Sequence, residues 1–405
     1  MKFRMFADSV HGKKYFDRGL PCQDFSDTTE FDGVQAIAVA DGHGGKDYFR
    51  SDTGAKLAVE VAFAQVKKFC KDVSDDEIFS VNGIKNFEHA VWNAWREAVM
   101  NHWRENPVTE DEFRWQTVSD KYKARFTSTD EKILAKYIPV AYGTTLICAV
   151  SIGSQVLITQ IGDGTCVVLQ RDGEFTVAVP PDSENFANVT TSLCDENAFG
   201  KFRDKILACD ENLPSSPVAI FLSTDGLDDC YLIFENEKYL YKLYSETVIG
   251  SLITNGFELT NKALHEELLP YMTERGSNDD ISLAYLVTED LNLLKAAVEK
   301  FSTTPAEKSD TEKISTPTVN NVTEKVSTST VVVDNTEKIS TTSAEKFVAE
   351  KMTPTPIVNI EPTNFPPQSF SPSPILKAWN LTFSTTPVII ESKSQSERSD
   401  KHEQP

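Results

Sequence analysis

The sequence is poor in the features that mark several common classes of protein. No stretch approaches the ~20 consecutive apolar residues that a bilayer-spanning helix requires. The amino-terminal MKFRMFADSV has no long apolar core, so no secretory leader is expected. Bases are in deficit: 40 Lys and Arg stand against 61 Asp and Glu, a formal charge of −21. That balance argues against nucleic acid or an anionic membrane as the main partner, because both require clustered cations. Seven cysteines, at 22, 70, 148, 166, 194, 209 and 230, form no C-x-x-C pair. Reduced thiols in a cytoplasmic protein are therefore favoured over disulfides or a zinc site. The six histidines are dispersed, without H-E-x-x-H. A G-x-x-x-x-G-K-[ST] phosphate loop, a G-x-S-x-G elbow and a D-x-D-x-D-G calcium loop are all missing.

What is present divides near residue 290. Up to there 47 acids face 28 bases, and beyond it 14 face 12, so the acidity belongs to the first part. At 405 residues the chain has length for two or three domains and for a core that needs no disulfide staples. Residues 291–405 are rich in Ser, Thr, Pro, Glu and Lys. They repeat T-E-K-I/V-S-T from Thr311, Thr323 and Thr336, at a spacing too short for a helical solenoid unit. Apolar residues there are too sparse to offset the entropy of ordering, and a largely disordered tail is expected.

The first 290 residues mix strand and helix signals. Short apolar runs mark strands at Val34–Ala40, Thr144–Ile152, Gln155–Ile161, Thr165–Gln170, Val218–Ser223 and Ile281–Val287. Ala58, Val61, Ala62, Gln65, Val66 and Phe69 recur at helical spacing, as do Ile84, Phe87, Val91, Ala94, Trp95 and Ala98. Two further helices are expected near 237–253 and 259–272, and residues 104–140 read as a polar insertion. Strands adjacent in sequence with helices grouped elsewhere indicate an α+β fold.

The chemistry lies where the aspartates fall. Asp41 follows a buried strand and opens D-G-H-G-G; Asp163 sits in I-G-D-G-T; Asp225 opens D-G-L-D-D after V-A-I-F-L-S-T. Asp279 and Asp280 precede I-S-L-A-Y-L-V, and Asp24 lies in P-C-Q-D-F. One Asp-Gly is an ordinary turn. Five acidic turns flanking apolar strands pose a charge problem, because repulsion and desolvation penalise clustered carboxylates that have no counter-charge. Hard divalent cations supply that charge through oxygen ligands. A pair of such ions without a protein nucleophile points to metal-assisted hydrolysis.

In order, P-C-Q-D, V-A-D-G-H-G-G, Y-G-T-T-L, I-G-D-G, L-S-T-D-G-L-D-D and G-S-N-D-D-I-S resemble the metal-dependent protein phosphatases of type 2C, in their bacterial-style branch. The resemblance covers about residues 5–288. It implies a four-layer α-β-β-α sandwich with a binuclear metal site at one edge of the paired sheets. It also implies a serine/threonine phosphatase in which water held between two Mg²⁺ or Mn²⁺ ions attacks phosphorus in line.

Carried over by residue, Asp41 matches the carboxylate bridging both ions, and Gly42 a residue that binds through its backbone carbonyl. Asp225 and Asp279 match the other direct ligands, and Asp24 the aspartate that holds a coordinated water. Asp163 and Asp229 match acidic positions associated with a weaker third ion or with metal-bound water. His43 matches the general acid for the leaving oxygen. Gln23 falls where many members carry Glu, and Asp280 where Asn is common; both are expected to support the ligands rather than bind metal.

The chain departs from the family at the phosphate-gripping arginine, where it has Gly19. Arg18 is the nearest substitute, with Lys13 and Lys14 behind it. Residues 180–203 occupy the place of a flap beside the site. The implied partners are phosphoserine and phosphothreonine proteins and a cognate kinase, met by a cytoplasmic monomer. The missing arginine and the long tail keep open a catalytically weak pseudophosphatase that binds phosphoproteins or acts as a scaffold.

Overall fold

The computed structural model describes residues 2–303, apart from 111, 113–114, 182–189 and 232–234. Among the described residues, ten strands form two antiparallel sheets. One has the order β1-β10-β9-β6-β7, made of β1 (Phe3–Val10), β10 (Ile281–Thr288), β9 (Pro217–Ser223), β6 (Thr165–Gln170) and β7 (Phe175–Val177). The other has the order β2-β3-β4-β5-β8, made of β2 (Phe25–Phe31), β3 (Val34–Ala40), β4 (Leu146–Ile152), β5 (Gln155–Ile161) and β8 (Arg203–Ala208).

Side-chain alternation builds the layers. In β3, Ile37 and Val39 join Ile147, Ile158, Val168, Ile220 and Leu222 in a core between the sheets. Its Ala36, Ala38 and Ala40 face the opposite way, against the helices Ser51–Asp72 and Val81–Glu105. On the other sheet, Val167, Phe221, Leu283 and Tyr285 turn outward onto the helical run 236–277. Both faces of the central strands are thus buried, which is why they read as continuous apolar runs. The expected four-layer α-β-β-α sandwich is the observed architecture.

A glycine lets the helix Ser51–Asp72 lie close to the turn that leads into β4. A Cβ on Gly54 would fall 1.9 Å from the Tyr142 carbonyl oxygen. The neighbouring helix starts at Ser80, whose Oγ accepts from the Gly83 amide at 3.0 Å, a side-chain cap for the exposed amides of the first turn. The run 236–277 is helical but broken at Gly256, whose φ of 78° suits glycine, as the two expected helices require.

Two regions differ from the sequence reading. Residues 104–140 are not merely a polar excursion. The turn Trp115–Thr117 and the helices Asp120–Phe126 and Glu131–Ala141 bury Trp115, Val118, Phe126 and Ile138 in the same core as Phe49 and Trp103. The packed body also runs past residue 290, through the helix Leu291–Thr303, whose Leu294 and Ala297 are fully buried. The tail repeats, and the centre of the flap-like segment 180–203, fall outside the described residues.

Candidate metal centre

The strand registers bring the acidic turns together. Phe25 pairs with Ala40, Leu146 with Ile161, Thr165 with Ser223, and Val10 with Ile281. The residues just outside these pairs are Asp24, Asp41, Asp163, Asp225 and Asp280, so all of them collect at one edge of the two sheets. Carboxylate oxygens of Asp41, Asp163 and Asp225 lie within 4.8 Å of one another.

Hydrogen bonds hold the surroundings. The Asp41 carbonyl accepts from the Thr145 amide at 2.8 Å and from Thr144 Oγ1 at 2.9 Å, while the Asp41 amide donates to Thr145 Oγ1 at 3.0 Å. Gly42 donates its amide to the Gln23 carbonyl at 3.1 Å, and a Cβ there would meet the carbonyl oxygens of Gln23 and Ser51 at 2.6 Å. The close approach requires glycine at 42. Thr224 Oγ1 donates to Asp24 Oδ2 at 2.6 Å and accepts from the Ser282 amide at 2.9 Å, tying one sheet to the other. Asp280 is buried and accepts from the Gly12 amide at 2.6 Å and the Gln23 amide at 2.7 Å, so it fastens the amino-terminal loop to β10. Gln23 Nε2 donates to the His43 carbonyl at 3.2 Å and to Ser51 Oγ at 2.6 Å.

The electrostatics match the charge problem read from the sequence. Burial, reinforced by Asp225 and Asp24, holds the Asp41 carboxyl well above the usual carboxylate range. Burial and then Asp280 do the same for Asp24. Asp225 is pushed up to about 7 by burial and then by Asp163. Asp163 and Asp229 are raised by burial, opposed by Arg203 in the first case and by Lys14 in the second. A site of carboxylates that resist ionising, with oxygens this close, fits a hard dication as the missing counter-charge.

The remaining expectations sort as follows. Asp279 lies outside the tight trio; it is near enough to raise Asp225 and Asp229, and its Oδ2 takes the Lys14 ammonium at 3.2 Å. Arg18 is exposed, and its backbone amide donates to the Tyr15 carbonyl. Among the described residues, Lys14 rather than Arg18 is the amino-terminal cation that pairs with a site carboxylate. Burial lowers the His43 imidazole to about 4, so it is neutral at pH 7, with Asp195 pulling the other way. Its ring packs edge-on against Tyr48 at 4.8 Å.

Sequence reasoning missed Tyr15 and Asp228. Tyr15 is buried, and its hydroxyl is raised by burial and then by Asp279, to which it hydrogen-bonds. Asp228 bonds Thr165 Oγ1 and is pushed up to about 8 by burial. Nothing in K-K-Y-F announces an inward tyrosine, whereas the second acid of D-G-L-D-D was visible and passed over.

Residues 11–269 match the family described as Protein phosphatase 2C. No curated protein matches the chain. Among solved structures, the S. agalactiae serine/threonine phosphatase is 17% identical, covering 71% of this chain and 100% of its own, with a TM-score of 0.43. The catalytic domain of the serine/threonine phosphatase PstP, solved with two manganese ions, is 16% identical, covering 71% and 99%, with a TM-score of 0.40. A C. elegans sex-determining protein is 13% identical, covering 73% and 68%, with a TM-score of 0.45.

Proposed function

The chain belongs to the protein phosphatase 2C family, and from that premise we propose that it is an active, metal-dependent phosphatase of phosphoserine and phosphothreonine proteins. The observation that carries this reading is the convergence of Asp41, Asp163 and Asp225 oxygens within 4.8 Å. Two Mg²⁺ or Mn²⁺ ions, with a weaker third, would polarise the phosphoryl group and make water nucleophilic there. Asp41, Asp225 and Asp279 would hold the inner pair with the Gly42 carbonyl, and Asp24 would orient water. Asp163 and Asp229 would serve the outer ion. Gln23 and Asp280 fix the backbone around them.

The chain's own groups account for the remaining demands. Lys14 would neutralise part of the incoming phosphate as a point charge, in place of a bidentate arginine. His43 is neutral in the free protein. An adjacent dianionic ester would raise its pKa and let it protonate the leaving serine or threonine oxygen. A cognate kinase supplies the phosphorylated substrates, and the cytoplasm is the proposed compartment. Among the described residues no helix is long and apolar enough to cross a membrane.

Hydrolysis of a phosphothreonine peptide with and without Mn²⁺ tests the reading. Metal-dependent turnover supports it. Absent turnover with weak or single-ion binding would instead identify the scaffold alternative.

A further inference from the structure

The geometry points to a docking groove, on the helical insertion, for a carboxylate-rich segment flanking the phosphorylated residue of the substrate. This rests on the phosphatase reading above and names the substrate class. Between the helices Asp120–Phe126 and Glu131–Ala141 lies a groove of about 540 Å³ lined by Ala124, Arg125, Lys132, Ile133, Lys136 and Tyr137. Three of the six are bases and none is an acid, on a body where 47 acids outnumber 28 bases up to residue 290.

The cations are presented for recognition. The Arg125 guanidinium stacks over the rings of Tyr137 at 4.5 Å and Tyr122 at 4.9 Å, which fixes its plane and leaves its N–H edge free to grip a carboxylate. Lys132 is exposed. Among the described residues neither Arg125 nor Lys132 forms an ion pair, whereas Lys136 meets Glu196. Ile133, 38% exposed, gives an apolar foothold between them.

The helix Asp120–Phe126, which forms one wall of the groove, also reaches toward the catalytic edge. Its Tyr122 is among the groups that, after burial, raise the Tyr48 hydroxyl, and Tyr48 packs on His43. Glu196, the partner of Lys136, follows Asp195, which acts on His43. A phosphoprotein approaching so acidic a body is repelled, and a basic groove on the insertion offsets that for substrates with acidic flanks.

The test uses the full chain and two phosphothreonine peptides that differ only in four flanking glutamates replaced by glutamines. The acidic peptide should show a KM lower by about tenfold at low salt, an advantage that shrinks as salt rises. Lys132→Glu with Lys136→Glu, or Arg125→Glu alone, should abolish that preference. Hydrolysis of p-nitrophenyl phosphate and of the neutral peptide should change less than about twofold, since neither uses the groove. Fluorescence anisotropy of the labelled peptides should give the same order without turnover, so the groove is decided even if the chain hydrolyses nothing. Equal affinity for both peptides, or a preference that survives charge reversal, would overturn the proposal.

Discussion

The acidic sheet edge and the basic groove on the insertion solve opposite problems with the same electrostatics. At the sheet edge, carboxylates from five turns are crowded on rigid strand ends, with Asp24 and Asp280 buried, so charging them together is costly. On the insertion, Lys132 and Lys136 stand on exposed helix surface, where charge costs little and can act at a distance. The lesson is that the first region is incomplete without a counter-ion, whereas the second is complete as it stands and awaits only a complementary surface.

The sharpest way to break this contrast is to remove acids from the edge. Asp41→Asn or Asp225→Asn should lower kcat/KM by at least about 10³-fold, the scale of losing several kcal/mol of transition-state charge stabilisation. The same substitutions should raise the melting temperature of the metal-free protein, because they relieve repulsion. Thermal melts beside peptide assays check both signs. A next test lies on the insertion itself. Trp115, 2% exposed, packs on Phe49 at 5.1 Å and Phe126 at 5.6 Å. Trp115→Ala should cost roughly 3–5 kcal/mol in urea unfolding if the insertion is core. A polar appendage would lose almost nothing.

The pH dependence of stability separates the regions further. In the metal-free chain Asp225 and Asp228 titrate near 7 and 8 instead of the ordinary 3.8. The folded state therefore holds protons that the unfolded state releases. Their contribution is full below the ordinary value and is lost as pH rises through 7 and 8. The metal-free protein should melt about 5 °C lower at pH 8.5 than at pH 5.5, and Mn²⁺ should raise the melting point most at the higher pH. The smallest effect belongs to the cation beside the acidic edge. Lys14→Met should raise KM for p-nitrophenyl phosphate by roughly threefold to tenfold, while Arg18→Ala should leave it within about twofold.

Legibility in the sequence followed burial. The six strands recognised as apolar runs are β3, β4, β5, β6, β9 and β10, which form the interior of the two sheets. The four that were missed, β1, β2, β7 and β8, are the four sheet edges. An edge strand keeps polar residues along its length, as Asp27 and Glu30 do in β2, so no continuous run appears. The insertion was misjudged because Trp115, Phe126 and Ile138 stand in three separate short elements, and Val118 between two of them, with no shared period. At the site, aspartates beside glycines at strand ends announced themselves. The pairing of Lys14 with Asp279 did not, because it depends on the single short helix Lys13–Phe16, which directs that side chain toward the site.

The most direct test is a crystal soaked in Mn²⁺ and measured at the manganese absorption edge. Anomalous peaks touching oxygens of both Asp41 and Asp225 are the expected result. A map without density between those two carboxylates, or with manganese bound only elsewhere on the molecule, would contradict the account.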